Sequence, residues 1–326
     1  MKKRVTIITG AMIILAVLWA AVSYERGSGT GGAKGKHEYR YPDFYRGMYL
    51  TSESAVDPGR FDMFIDAAEK SFINTLVIDV QTSRYKENMV PAGFVKKCQD
   101  AGLHPVARVV VFPGGLAKYP APEGAIDGII DIAERAAKAG FMEIQFDYIR
   151  FSDEDRHTAY LSHVTYGERY MFIQAFFNRA RKRLAPYNVR IAADVFGRIP
   201  HKEDDRIGQK MEVLDLSVDM VCPMAYPSHY WTTAMQYDPY STVKWTSSEA
   251  RRRLKKAGVV TWIQAFRMNM PPDMAFKEYV MRQIKAVHDS DVKGFFLWNA
   301  RQVYHVPLEA VREYYGNSLK DQAAVK

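Results

Sequence analysis

The chain has 326 residues, 48% of them hydrophobic, with 45 Lys and Arg against 37 Asp and Glu, a net charge of +8. This apolar content suffices for one large core, and the length permits one or two domains, since barrels of this size run as single domains. The charge excess does not form the basic patch interleaved with aromatics that a nucleic-acid binder shows, and its one dense run, RRRLKK at 251–256, reads as the wet face of a helix.

In chain order the first element is an export signal. Lys2, Lys3 and Arg4 precede Val5 to Val22, a run of 18 residues with no charge, about the minimum that spans a bilayer. Residues 1–23 are expected to be an uncleaved signal anchor or, if cleaved, a signal peptide, because Ala21 and Ser23 suit a cleavage site. The Gly-rich stretch 24–40 follows as a flexible linker. No Cys lies near the end of the run, which argues against a lipoprotein. The expected location is therefore extracytoplasmic, held to the membrane by the N-terminal segment or, if that is cleaved, secreted or periplasmic. Cys98 and Cys222 lie among apolar neighbours and are expected as buried free thiols.

After the linker, short strand-like runs alternate with helical ones. The strands are expected at 46–51, 75–81, 105–112, 143–151, 189–197, 219–226, 259–266 and 294–300. They are rich in Val, Ile and aromatics and mostly apolar on both parities, as suits parallel strands covered on both faces. Asp57-Pro58 signals a helix start, with Phe61, Phe64, Ile65 and Ala68 at helical spacing. Helices are expected near 166–185, 246–257, 272–289 and 307–315, with a short one near 205–214. Gly102, Gly140 and Gly258 fall where a C-terminal cap needs positive φ. Eight strand–helix units predict a (β/α)8 TIM barrel over 41–316, a single catalytic-type domain, with 317–326 as a flexible tail. A doubly wound sheet is the alternative.

A barrel of this kind carries its site at the C-terminal ends of its strands. The polar residues gather there: Asp79 and Gln81 on strand two, Asp147 and Arg150 on strand four, Asp194 on strand five, Tyr226, His229 and Tyr230 after strand six, Gln264 on strand seven, Trp298 and Asn299 on strand eight. Asp147 shares its face with Gln145, and Arg150 is expected either to orient it or to hold its pKa down. The rival reading of Asp147 is a buried Asp–Arg pair that pins strand four to its neighbours.

Two carboxylates on adjacent strand ends are what glycosidic cleavage requires: one ionised as nucleophile or base, the other holding a proton for the leaving oxygen. Asp147 and Asp194 are the candidate catalytic pair. The remaining rim residues are candidates for substrate binding, with Tyr226, Tyr230, Trp231 and Trp298 available to stack on sugar C–H faces. Asp79, Asp147, Asp194 and His229 are acceptable metal ligands, but no two His occur at close spacing; a metal-dependent hydrolase is the lesser alternative. Gly114-Gly115 is too short for a phosphate loop. No cofactor is expected.

Read together, GFMEIQFDYIRF, IAADVFG, IGQKMEVLDLSVDMVCPMAYPSHY and GFFLWNA resemble a bacterial family of glycoside hydrolases catalogued as a domain of unknown function. The resemblance covers most of 46–304, and PMAYPSHY is its most specific part. It implies an exported (β/α)8 barrel related to the amylase-like and chitinase-like hydrolases, with a carbohydrate as its partner. The family's strand-four acid matches Asp147, with Tyr148 and Arg150 beside it; its strand-five acid matches Asp194, and its Tyr-Pro-Ser-His segment matches Tyr226 to His229. The chain departs from the pattern at Ser152, where a proline is usual, at Gln81, where a lysine is usual, and at Ala265, where an Asp is common. The segment 113–124 is also shorter. The departure at Ala265 leaves a non-catalytic carbohydrate-binding barrel at the cell envelope as the second reading.

Overall fold

The computed structural model describes residues 39–81 and 89–324. The chain divides into two units, Met1–Tyr41 and Pro42–Lys326. The expected signal anchor and most of the linker lie outside the described residues. Among the described residues no helix is long and apolar enough to cross a membrane.

Pro42–Lys326 contains a closed barrel of eight parallel strands: β1 (Tyr45–Leu50), β2 (Thr75–Asp79), β3 (His104–Val110), β4 (Glu143–Asp147), β5 (Arg190–Phe196), β6 (Met220–Met224), β7 (Gly258–Val259 and Thr261–Gln264, interrupted at Val260) and β8 (Gly294–Trp298). Each strand pairs with the next in sequence, and β8 returns to β1 with Tyr45 opposite Gly294, so no edge is left open. This is the expected (β/α)8 barrel. The doubly wound alternative fails because an open sheet would not join its first strand to its last.

Two apolar layers hold it together. One lies between the strands and the outer helices; the other fills the barrel with Tyr45, Tyr49, Val77, Val106, Trp262 and Phe296 among others. Each fully buried large side chain contributes about 1.5–3 kcal/mol. Gly47 makes room for this filling: a Cβ there would lie 2.4 Å from the Phe296 ring. The helices form where the apolar spacing and caps place them. In Pro58–Glu69 the Asp57 side chain accepts the Arg60 N–H, and Phe61, Phe64, Ile65 and Ala68 turn inward. Tyr166–Leu184 opens with a Thr165–Glu168 capping box.

Several boundaries differ from expectation for identifiable reasons. The helix expected at 246–257 runs Pro239–Arg253, started by Asp238 and Pro239, the same signal as Asp57-Pro58. The last helix, His305–Ala324, continues into the stretch read as a tail. Gly102 and Gly140 have φ of 72° and 105°, as the caps require. Gly258 instead begins β7, where a Cβ would meet Met220 Sδ at 2.7 Å. Cys98 and Cys222 are both buried and free.

Candidate active site

The side chains at the C-terminal mouth are positioned by strand register. Asp79 lies opposite Arg108, and Val110 opposite Asp147. Phe146 lies opposite Ala193, so Asp147 and Asp194 occupy the next positions on adjacent strands, whose backbones run about 4.8 Å apart. The chain leaves β4 at once, because Tyr148 takes a left-handed φ of 54°. Its N–H folds back to donate to Asp147 Oδ1 at 2.6 Å. A left-handed tyrosine is uncommon and costs on the order of 1–3 kcal/mol, a kind of strain that concentrates at functional sites.

A belt of polar contacts crosses β1 to β4. Tyr49 Oη donates to Asp79 Oδ2 at 2.5 Å, and Arg108 Nη1 donates to Asp79 Oδ1 at 2.5 Å. Arg108 also donates from Nη2 (2.5 Å) and Nε (3.1 Å) to Asp147 Oδ2. On β5, Asp194 is 1% exposed, and its Oδ1 accepts from Gln145 Nε2 at 2.6 Å and Trp262 Nε1 at 2.7 Å. Both donors fall on one oxygen. The other, Oδ2, is the position at which a proton would sit.

Two carboxylates thus pair with one guanidinium, and the third, Asp194, feels its charge without bonding to it. Burial, and then the negative charge of Asp147, push the Asp194 carboxyl well above the usual carboxylate range, although Arg108, Trp262 and Gln145 pull it down. Burial also raises Asp79 against the pull of Arg108. Arg108 is held charged by its acidic neighbours despite its own burial.

Asp147 and Asp194 open into a cavity of about 580 Å³. Tyr226, His229, Tyr230 and Trp298 line it as well, together with Trp231, which is 61% exposed at its edge. Trp298 packs against Tyr49 at 4.3 Å and Trp262 at 5.6 Å between ring centres. Gly197 lets the walls close in: a Cβ there would lie 2.5 Å from the Met224 carbonyl and 2.6 Å from the Tyr230 hydroxyl. Burial lowers the His229 pKa and favours its neutral form.

Other expected rim residues bond backbone or neighbouring loops. Gln81 exchanges two hydrogen bonds with the main chain of Val110. Gln264 accepts from Ser228 N–H and donates to the carbonyls of Phe266 and Met268. Asn299 donates to the Ala265 and Val303 carbonyls. Arg150 does not reach Asp147. Its Nη1 donates to Asp153 and to the Phe151 carbonyl, and its guanidinium lies 4.6 Å over the Phe196 ring.

The cation beside Asp147 is Arg108, which the sequence reading missed. The available signal was its position as the one charge inside the apolar run PVARVVVF. Trp262 was missed too, as one more aromatic in an apolar strand. Nor is buried polarity confined to one mouth. At the other end Glu143, fully buried, accepts from Tyr45 Oη at 2.7 Å and lies 3.2 Å from His104 Nε2, so the expectation that buried polar groups favour one rim holds only in part. Among the described residues no group of three His, Cys, Asp or Glu is placed to hold a metal ion.

A closed parallel barrel with a cavity at its C-terminal mouth has the layout of a barrel enzyme. The chain belongs to the family described as "putative glycosyl hydrolase domain", which matches residues 119–304, more than half of its length. No curated protein matches it. Among solved structures it is similar to the glycoside hydrolase domain of PgaB (BpsB) from Bordetella bronchiseptica, at 13% identity and TM-score 0.61, covering 83% of this chain and 98% of that one. It is also similar to a hyperthermostable endo-1,4-beta-D-mannanase from Thermotoga petrophila (11%, TM-score 0.59, 83% and 99%) and to a chitinase from Chromobacterium violaceum (13%, 0.56, 82% and 98%). At these identities the likeness establishes the shared fold.

Proposed function

We propose that the protein hydrolyses glycosidic bonds of an extracytoplasmic poly- or oligosaccharide by a two-carboxylate mechanism, with Asp147 as nucleophile or base and Asp194 as the acid. The observation that carries this reading is the contrast between two neighbouring carboxyls in one cavity. Asp147 is clamped by a guanidinium and a backbone N–H, which fix its carboxylate in place. Asp194 is desolvated beside that charge, which favours the proton. Trp298, Tyr226 and Trp231 supply faces on which a sugar can stack. Export through Val5 to Val22 would deliver the barrel to such a substrate, with membrane retention if that segment stays attached.

The test is hydrolysis of aryl glycosides and oligosaccharides by the purified barrel and by Asp147→Asn. That variant keeps the shape and removes the charge, so turnover should vanish while binding stays within about tenfold. Wild-type turnover by Asp147→Asn would end the assignment.

A non-catalytic binding barrel is the second reading, favoured by one observation: both Asp147 oxygens already accept hydrogen bonds. It requires that the wild type bind saccharides with no turnover of any of them.

A further inference from the structure

Beside the candidate catalytic cavity lies a second one of about 540 Å³, and the two share His229 and Trp298 in their walls. Its remaining walls come from the segments after β7 and β8. Phe266 and Phe276 are its aromatic faces, and Arg267, Arg301 and His305 are its charged or titratable groups. No Asp or Glu is among its lining residues.

Several arginines elsewhere on the barrel are matched by carboxylates. Arg198 pairs with Asp153 and Asp205, and Arg253 with Glu212. Among the described residues neither Arg267 nor Arg301 has a carboxylate in ion-pair reach. The Arg267 guanidinium lies 4.7 Å over the Phe276 ring, and Arg301 donates its backbone N–H to Asn299 Oδ1. The helix His305–Ala324 starts in the same wall and adds the positive end of its dipole.

Two unpaired guanidiniums against aromatic walls favour an anion that also has an apolar face. Because the cavity adjoins the Asp147–Asp194 cavity through Trp298, a unit seated in it would belong to the same chain that passes the carboxylates. We infer that this cavity is a subsite for an acidic sugar unit, a carboxylate-bearing residue of the substrate, bound by Arg267 and Arg301. The inference rests on the hydrolase reading and names its substrate class: an acidic polysaccharide or oligosaccharide.

The experiment compares short oligogalacturonates and oligoglucuronates with their methyl esters, by calorimetry on wild type and on the double variant Arg267→Gln, Arg301→Gln. Wild type should bind the acids about tenfold tighter than the esters, with the preference shrinking as salt rises. The double variant should bind acid and ester alike, at the affinity wild type shows for the ester. Both side chains are exposed, so its melting temperature should match wild type. Equal affinity of wild type for acid and ester, or a preference that survives in the variant, overturns the subsite. If neutral oligosaccharides are then cleaved equally well, the hydrolase reading stands without it. If no saccharide of either kind is bound or cleaved, both fall.

Discussion

Arg108 holds Asp147 through Nη2 at 2.5 Å and Nε at 3.1 Å, both directed at the single oxygen Oδ2. The third nitrogen, Nη1, is bound to Asp79. One planar cation therefore fixes two carboxylates from the strands on either side of it, which a point charge on a flexible stem cannot reproduce.

Arg108→Lys should accordingly leave substrate KM little changed and lower kcat about a hundredfold or more, through misplacement of Asp147. Arg108→Met should destabilise the fold by about 3–5 kcal/mol, because it strands two buried carboxylates. Steady-state kinetics and denaturant titration check the two expectations; unchanged kcat in Arg108→Lys would refute the positioning role.

Trp262→Phe keeps an aromatic ring in the barrel and deletes one donor to Asp194. That hydrogen bond favours the ionised carboxyl, so removing it should raise the Asp194 pKa further. The alkaline limb of the pH–activity profile, on which the acid loses its proton, should move to higher pH. A shift to lower pH would contradict the assignment of Asp194 as the acid.

Asp194 should also show in stability. Its folded pKa lies above the unfolded value, so the fold favours the neutral form. Below the unfolded value of about 3.9 both states are protonated and no cost arises. As pH rises above it, the unfolded chain ionises freely while the folded one resists, and stability is lost until the folded pKa is passed. Asp194→Asn should therefore melt higher than wild type at neutral pH, with the gain shrinking toward pH 4. A lower melting temperature at neutral pH would count against this.

His201 predicts the opposite slope. Its ring stacks on Trp245 at 3.4 Å, and burial lowers its pKa from 6.5 to about 4. Stability from this group is complete above pH 6.5 and is lost as pH falls toward 4, where the fold finally accepts the proton. His201→Gln should flatten that part of the melting curve against pH. An unchanged slope would show that another group carries it.

The barrel was legible because its strands are apolar on both parities and a helix such as Pro58–Glu69 opens with a recognisable cap. Asp147 and Asp194 were legible for a related reason, since a lone acid in an apolar strand end stands out. The pairing was not. Sequence proximity suggested Arg150 for Asp147, but the left-handed Tyr148 ends the strand and turns Arg150 toward Asp153. The actual partner sits one strand over, at a register that only closure of the barrel defines. Gln264 and Asn299 lie on the expected rim, yet they spend their hydrogen bonds on backbone. Strand position alone does not tell a side chain that faces the cavity from one that braces a loop.

The belt from Tyr49 through Asp79 and Arg108 to Asp147 constrains how the chain can change over generations. Replacing any one member leaves its neighbours with buried charge or donors unmatched, so viable substitutions at these four positions should come in compensating combinations. The second cavity carries no such linkage, because among the described residues its arginines have no ion-pair partner to strand. Drift there is expected to be stepwise, with new sugar preferences arising at Arg267 and Arg301 while the belt stays intact.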